Sequence, residues 1–326
     1  MAVLLVAGLD PVTLNAKLSL QTAQNTPEAL DLLARMRRLY SKAKQFSRWQ
    51  VLLVVVCGVV TTFLLLRWED MAAWVVLFST TVGLLEVFWL EARQEHYREL
   101  AARVQEVFDG ELFDLDWNAP LAGPSPMGAE LEDHLPSASV KPRHTQGLAD
   151  WYGEPALAQL PLPLARILCQ VTNVVWDARL RRRFTRLLWL VLCGLCVGVV
   201  GGALGLGYTV KTMLLMLVAC FGPVICWLAR AVREHHQAAS DLDDLRDFLK
   251  VLWDEALDGD RSPAELRTAA RQVQDEIFRG RTDHPMVPDW FYGRHKDAME
   301  LVSRAETAEW TKTALGRQAE WRQRLS

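Results

Sequence analysis

Four apolar runs constrain this chain more than anything else in it. Segments 50–66, 187–208 and 212–229 carry no charged residue, and segment 71–90 carries only Glu86. Each approaches the roughly 20 apolar residues with which a helix crosses about 30 Å of hydrocarbon. Backbone polar groups cannot stay unpaired in lipid, so such runs read as membrane helices. The averages conceal this, because 51% hydrophobic and 23% charged residues occupy different parts of the same chain. The reading is an all-α membrane protein.

Orientation follows from the basic residues, which are retained on the cytoplasmic side of a span. Lys42, Lys44 and Arg48 precede the first run, and Arg93, Arg98 and Arg103 follow the second. Arg179, Arg181, Arg182, Arg183 and Arg186 precede the third, and Arg230 and Arg233 follow the fourth. Only Arg67 and Lys211 fall in the two short outer turns. Both termini and the middle of the chain are therefore expected in the cytoplasm. Trp49, Trp68, Trp89, Trp189, Tyr208 and Trp227 mark the run ends, as interfacial anchors do. Residues 1–9 are apolar but lack the basic start of a signal peptide, and are expected to be kept.

Outside the runs the same unit occurs twice. Leu32, Met36, Leu39, Ala43 and Phe46 form a heptad-spaced stripe before the first run, and Tyr97, Leu100, Val104 and Val107 form one after the second. Leu164, Leu168, Val171 and Val175 precede the third, and Leu242, Leu245, Leu249 and Leu252 follow the fourth. Neither Pro nor Gly separates these stripes from the spans, so each helix is expected to continue into the cytoplasm as one rod. The fold expected is thus two transmembrane hairpins whose four long helices extend as a coiled-coil-like stalk. The divisions are 1–49 (N-terminal segment and helix), 50–92 (first hairpin), 93–186 (helix, connector, helix), 187–231 (second hairpin) and 232–326 (C-terminal helical region). Thr26-Pro27 caps the first rod, and Ser262, Pro263 and Glu265 open a helix striped by Leu266, Ala270, Val273 and Ile277. Residues 109–163, rich in Pro, Gly and Asp, read as a long irregular connector with an aromatic cluster of Trp117, Trp151 and Tyr152.

Chemistry is sparse. Asp114 with Asp116, and Asp241 with Asp243 and Asp244, have carboxylate spacings found at metal sites, but solvated charge is their ordinary role. The C-x-x-C pair Cys193 and Cys196 sits inside an apolar run, where cysteine packs as a small hydrophobe. There is no phosphate loop and no nucleophile elbow, so neither catalytic residues, a metal nor a cofactor is expected. A slightly negative formal charge of −3 and no long basic patch argue against polymeric nucleic acid as a partner. Gly194, Gly198 and Gly202 set G-x-x-x-G spacing in the third run, which serves packing within a bundle or between copies. Glu86 is costly in lipid and is expected to face the bundle or snorkel to the inner interface. Pro223 beside Gly222 is expected to kink the fourth run.

Three stretches carry a family resemblance. They are residues 26–28 with 39–44, then residues 165–170 with Asn173, Trp176, Asp177 and 180–182, and then 277–279 with 287–292. In order and in span layout the chain resembles the SMODS-associated four-transmembrane effectors of cyclic-oligonucleotide-based anti-phage signalling (CBASS). Phe278 departs mildly from the tyrosine-like residue expected there. The resemblance implies an effector at the bacterial inner membrane, acting by membrane disruption or pore formation as a homo-oligomer when a cyclic nucleotide reaches it. A stackable anion calls for a pocket of arginines and aromatic rings, for which Trp151, Tyr152, Arg166, Arg279, Arg281, Trp290 and Tyr292 are the candidates. The alternative is an ion channel or transporter without nucleotide input.

Overall fold

The computed structural model describes residues 19–68, 72–126, 132, 142–153, 155–205, 207, 209–210 and 221–325. Among these there is helix and no strand. The helices are α1 (Leu20–Ala23), α2 (Pro27–Arg67), α3 (Ala72–Leu85), α4 (Ala92–Phe113), α5 (Ala119–Ala122), α6 (Pro142–Thr145), α7 (Leu162–Gly205), α8 (Gly222–Asp258), α9 (Pro263–Asp283) and α10 (Asp289–Leu325). A six-residue π-helical segment, Glu86–Glu91, joins α3 to α4 without a break in the rod.

Local chemistry sets the boundaries. Pro27 starts α2 at a position that needs no N–H, and the Thr26 hydroxyl accepts from the Ala29 N–H at 3.3 Å. Ser262 and Glu265 form a reciprocal capping box at the start of α9. α4 ends at Asp114, whose left-handed φ of 54° lets the Leu115 N–H reach back to the Gly110 carbonyl at 2.9 Å.

Among the described residues three helices are long and apolar enough to cross a membrane, Pro27–Thr61, Ala73–Phe113 and Leu162–Gly205. They leave Val59, Leu77, Phe88, Leu190 and Val197 exposed, apolar surface that water would penalise. The first half of the fourth apolar run, 212–220, lies outside the described residues, as do the whole of segment 1–18 and Lys211. Pro223 stands in the first turn of α8, where its missing N–H costs no hydrogen bond, and the part of the run before it, on which the expected kink depends, lies outside the described residues.

The stripes outside the membrane-length segments are where the core forms. Leu32, Met36, Leu39 and Ala43 of α2 are buried, as are Leu100, Val104 and Val107 of α4, Leu164, Leu168 and Val171 of α7, and Leu242, Leu249 and Leu252 of α8. The most extensive pairings are α7 with α8 and α2 with α4, and α9 packs across α4, α7 and α8. A second cluster forms nearer the apolar segments, where Val287, Phe291 and Met299 meet Phe184 and Leu188 of α7 and Leu228 and Val232 of α8.

Residues 109–113 are the last turn of α4 and not connector. Further along, Tyr152 is buried 5.3 Å from Phe113, while Trp117 and Trp151 pack partly buried on the same core. The Asp150 carboxylate accepts from Gln21 at 2.7 Å and Asn25 at 2.8 Å, which fastens this stretch to α1 and the turn after it.

Candidate functional site

From Val104 to Asp109 every residue of α4 is buried, polar ones included. A helix enclosed on all sides cannot send its charges to water, so Glu106 and Asp109 must find partners inside. Those partners come from α9. Arg281 Nη1 lies 2.7 Å from Asp109 Oδ2 and 3.8 Å from Glu106 Oε2, and Arg271 Nη2 lies 2.5 Å from Glu106 Oε1. Gln274, also fully buried, donates to Glu106 at 2.9 Å and to Asp109 at 3.1 Å.

The network extends to the other rods. Tyr152 donates its hydroxyl proton to Asp109 at 2.7 Å and accepts from Asn173 of α7 at 2.9 Å. Its backbone N–H gives to Gln24 at 2.9 Å. Gln170 of α7 donates to the Ala270 carbonyl at 2.8 Å and to Gln274 at 3.2 Å, and Tyr40 of α2 donates to Gln105 at 3.3 Å. One buried set of polar groups therefore joins α4, α7 and α9 through the connector, with α2 at its edge.

Electrostatics follow from burial. Desolvation pushes the Glu106 carboxyl above the usual carboxylate range, while Arg281 and Arg271 pull the other way. Desolvation alone would lower Arg281, but Asp109, with Tyr152, Tyr40 and Glu106 behind it, holds that guanidinium above its ordinary value. Burial raises Tyr152 well above a normal phenol and pushes Tyr40 up to about 12. Both phenols are thus held as neutral donors.

Beside the network lies a pocket of about 150 Å³ bounded by Glu106, Gly110, Glu111, Trp117, Ser125 and Arg271. That is below the roughly 300–1,000 Å³ of a preformed small-molecule site. The described arrangement is accordingly a closed clamp with a small opening.

Two of the seven residues anticipated for a ligand, Tyr152 and Arg281, converge here on Asp109. Arg166 is buried nearby but turned to the Phe113 carbonyl at 2.6 Å, and desolvation lowers it to about 10. Trp151 is half-buried at the edge of the core. Arg279 points outward and pairs with Glu276, both more than half exposed. Tyr292 packs 5.0 Å from Trp176 near the second cluster, and Trp290 is exposed. The seven do not form one pocket. Glu106, Asp109, Arg271 and Gln274 were not anticipated, and their trace in the sequence is charge and amide inserted among the stripes of α4 and α9; Gln170 and Asn173 of α7 lie in one of the stretches that carry the family resemblance, which assigns them no role.

The remaining candidates resolve individually. Glu86 opens the π-helical segment and accepts from Gln50 of α2, so it bridges the two helices at the end of their apolar parts. Side chains built at Gly194, Gly198 and Gly202 would meet nothing within 4 Å, so the described elements do not pack on that face. Asp116 pairs with Arg267 at 3.2 Å and Asp243 with Arg182 at 2.6 Å. Among the described residues no three His, Cys, Asp or Glu side chains are grouped to hold a metal ion.

No solved structure matches the chain. A curated protein of Bacillus cereus (strain VD146), described as a probable CBASS effector molecule, is 23% identical over 287 residues, covering 86% of this chain and 94% of that one. The family profile of the SMODS-associating 4TM effector domain matches residues 19–310, which takes in the apolar helices, the network and most of α10. The chain belongs to the SMODS-associating 4TM effector family.

Proposed function

We propose that this protein is an inner-membrane effector of CBASS defence, switched on by a cyclic nucleotide that loosens the α4–α9 clamp and so disorders or opens the membrane part. In this reading the four apolar runs are two hairpins with both termini in the cytoplasm, and the active form is an oligomer.

The observation that carries the reading is the position of the ion pairs. Arg271 and Arg281 hold two carboxylates of a helix that continues through the π segment into an apolar span. A polyanionic ligand competes for the same guanidiniums, because phosphate oxygens accept from arginine in the same forked geometry as a carboxylate. Freeing Glu106 and Asp109 leaves two desolvated carboxylates inside α4, which favours a rearranged rod. A ligand shifts such an equilibrium only by its differential affinity for the two states, so it must bind the open clamp better than the closed one.

The test reconstitutes the purified chain in dye-loaded liposomes and adds a panel of cyclic di- and trinucleotides. One of them is expected to bind and release dye. In Arg271→Ala with Arg281→Ala binding is expected to be lost and leakage to become independent of ligand, because both carboxylates are freed without one. If no cyclic nucleotide binds, the receptor reading fails, and constitutive leakage of the wild-type protein without any ligand favours a channel. Reporter fusions at Ser125 and after Ser326 test the topology: a periplasmic signal from either would refute it.

A further inference from the structure

The start of α10 is held at a defined level. The Asp289 carboxylate meets Lys44 at 2.6 Å and Arg48 at 3.5 Å, and Arg48 lies two residues before the first apolar run. On the other side Phe291 packs 5.0 Å from Phe184 in a cluster with Leu188 and Leu228, which belong to the third and fourth runs. Arg181 fixes the approach by donating to the Pro285 carbonyl at 2.8 Å.

Between these anchors Trp290 is 61% exposed, although Val287 and Phe291 on either side are buried. It touches the edge of Phe291 and leaves the rest of its indole uncovered. Trp49, Trp89 and Trp189, at the inner ends of the first three runs, are similarly exposed at 55%, 51% and 52%. Trp89 lies 6.1 Å from Phe46 of α2, four residues before the first apolar run. Indoles with an apolar body and one N–H concentrate at the level of lipid headgroups.

We infer that Trp290 is a fourth member of this belt, and that the partner of the α10 start is the headgroup layer of the bilayer that holds the spans. The inference rests on reading the apolar runs as membrane spans. Arg48, 68% exposed beside Asp289, supplies a cation for lipid phosphate at the same level. From there α10 leaves the boundary along α7 and α8: Arg183 meets His295 at 3.4 Å, Thr172 meets Thr307 at 3.3 Å and Trp253 meets Trp310 at 5.3 Å. The helix is moored to lipid at one end and to the helical stem along the rest. Trp290 thereby serves the membrane and not a soluble ligand.

The test places the photocrosslinker p-benzoyl-phenylalanine at Trp290, or at Leu301, in the full chain in phospholipid vesicles. Leu301 is also exposed but stands eleven residues further along α10, about 16 Å from Trp290. Position 290 is expected to give a phospholipid adduct and position 301 none. A 290 adduct to a second copy or to an added cyclic nucleotide, or equal lipid labelling at both positions, overturns the inference. Carbonate extraction separates the levels: release of the chain from vesicles sinks the membrane reading, whereas retention without a lipid adduct at 290 sinks only the inference.

Discussion

Replacing Asp109 by asparagine removes the central charge of the clamp while changing its volume little. The carboxylate is wholly buried, accepts from Tyr152 Oη at 2.7 Å and Gln274 Nε2 at 3.1 Å, and is ion-paired with Arg281 Nη1 at 2.7 Å. An amide keeps one oxygen for them and turns an NH2 toward a guanidinium or a phenol that is itself a donor. Arg281 is left with Glu106 at 3.8 Å as its remaining carboxylate. Removing one member of a buried ion pair costs about 3–5 kcal/mol. At about 2–4 °C per kcal/mol for a domain of 150–250 residues, the apparent unfolding midpoint is expected to fall by roughly 6–20 °C. Tryptophan fluorescence on heating in detergent or nanodiscs measures it. Combining Asp109→Asn with Arg281→Met removes the orphaned charge, so the double variant is expected to be more stable than the sum of the single effects by about 0.5–3 kcal/mol. A midpoint unchanged by Asp109→Asn, or strict additivity in the double variant, would refute the clamp.

Arg279→Ala tests the opposite limit: its pair with Glu276 is solvent-screened, so stability is expected to fall by less than about 1 kcal/mol, against several for Arg281→Ala, in the same melting assay. His235 is held down to about 3 from 6.5, first by burial and then by Arg181 and His284. Protonation therefore favours the unfolded chain, and stability present above pH 6.5 is lost as pH falls towards 3. That amounts to about 2 kcal/mol between pH 7 and pH 5, a loss that His235→Leu is expected to remove when melts are recorded across that range. Gly198→Leu with Gly202→Leu meets no described neighbour, so the midpoint is expected to hold while the oligomer measured by light scattering becomes smaller.

The helices were legible because their signals are local. Thr26-Pro27 and Ser262-Pro263 state their caps in consecutive residues, and the stripes from Leu32 to Leu252 name the buried face of each rod. Tyr152 and Arg281 were found by residue type, yet their shared partner was not, since Asp109 sits in a Gly- and Asp-rich stretch that reads as loop. The Arg271–Glu106 contact spans 165 positions, and nothing local in either segment names the other. Arg279 and Arg281 look equivalent in sequence, but two residues along a helix turn a side chain through about 200°, and that alone separates a solvent-facing pair from a buried one.

The π-helical segment Glu86–Glu91 also left no local sign, having neither Pro nor Gly. Such a segment accommodates one residue more than the α geometry around it, which amounts to an offset of about 100° between the helix above and the helix below. The side of α3 that meets α2 is therefore not the side predicted by counting back in sevens from Tyr97 and Leu100. Deleting one residue between Glu86 and Glu91 would erase the offset and rotate one half of the rod against the other by nearly a third of a turn. Relative facing in this rod is set by six residues at the boundary, and the two halves can carry independent sequence patterns on either side of it.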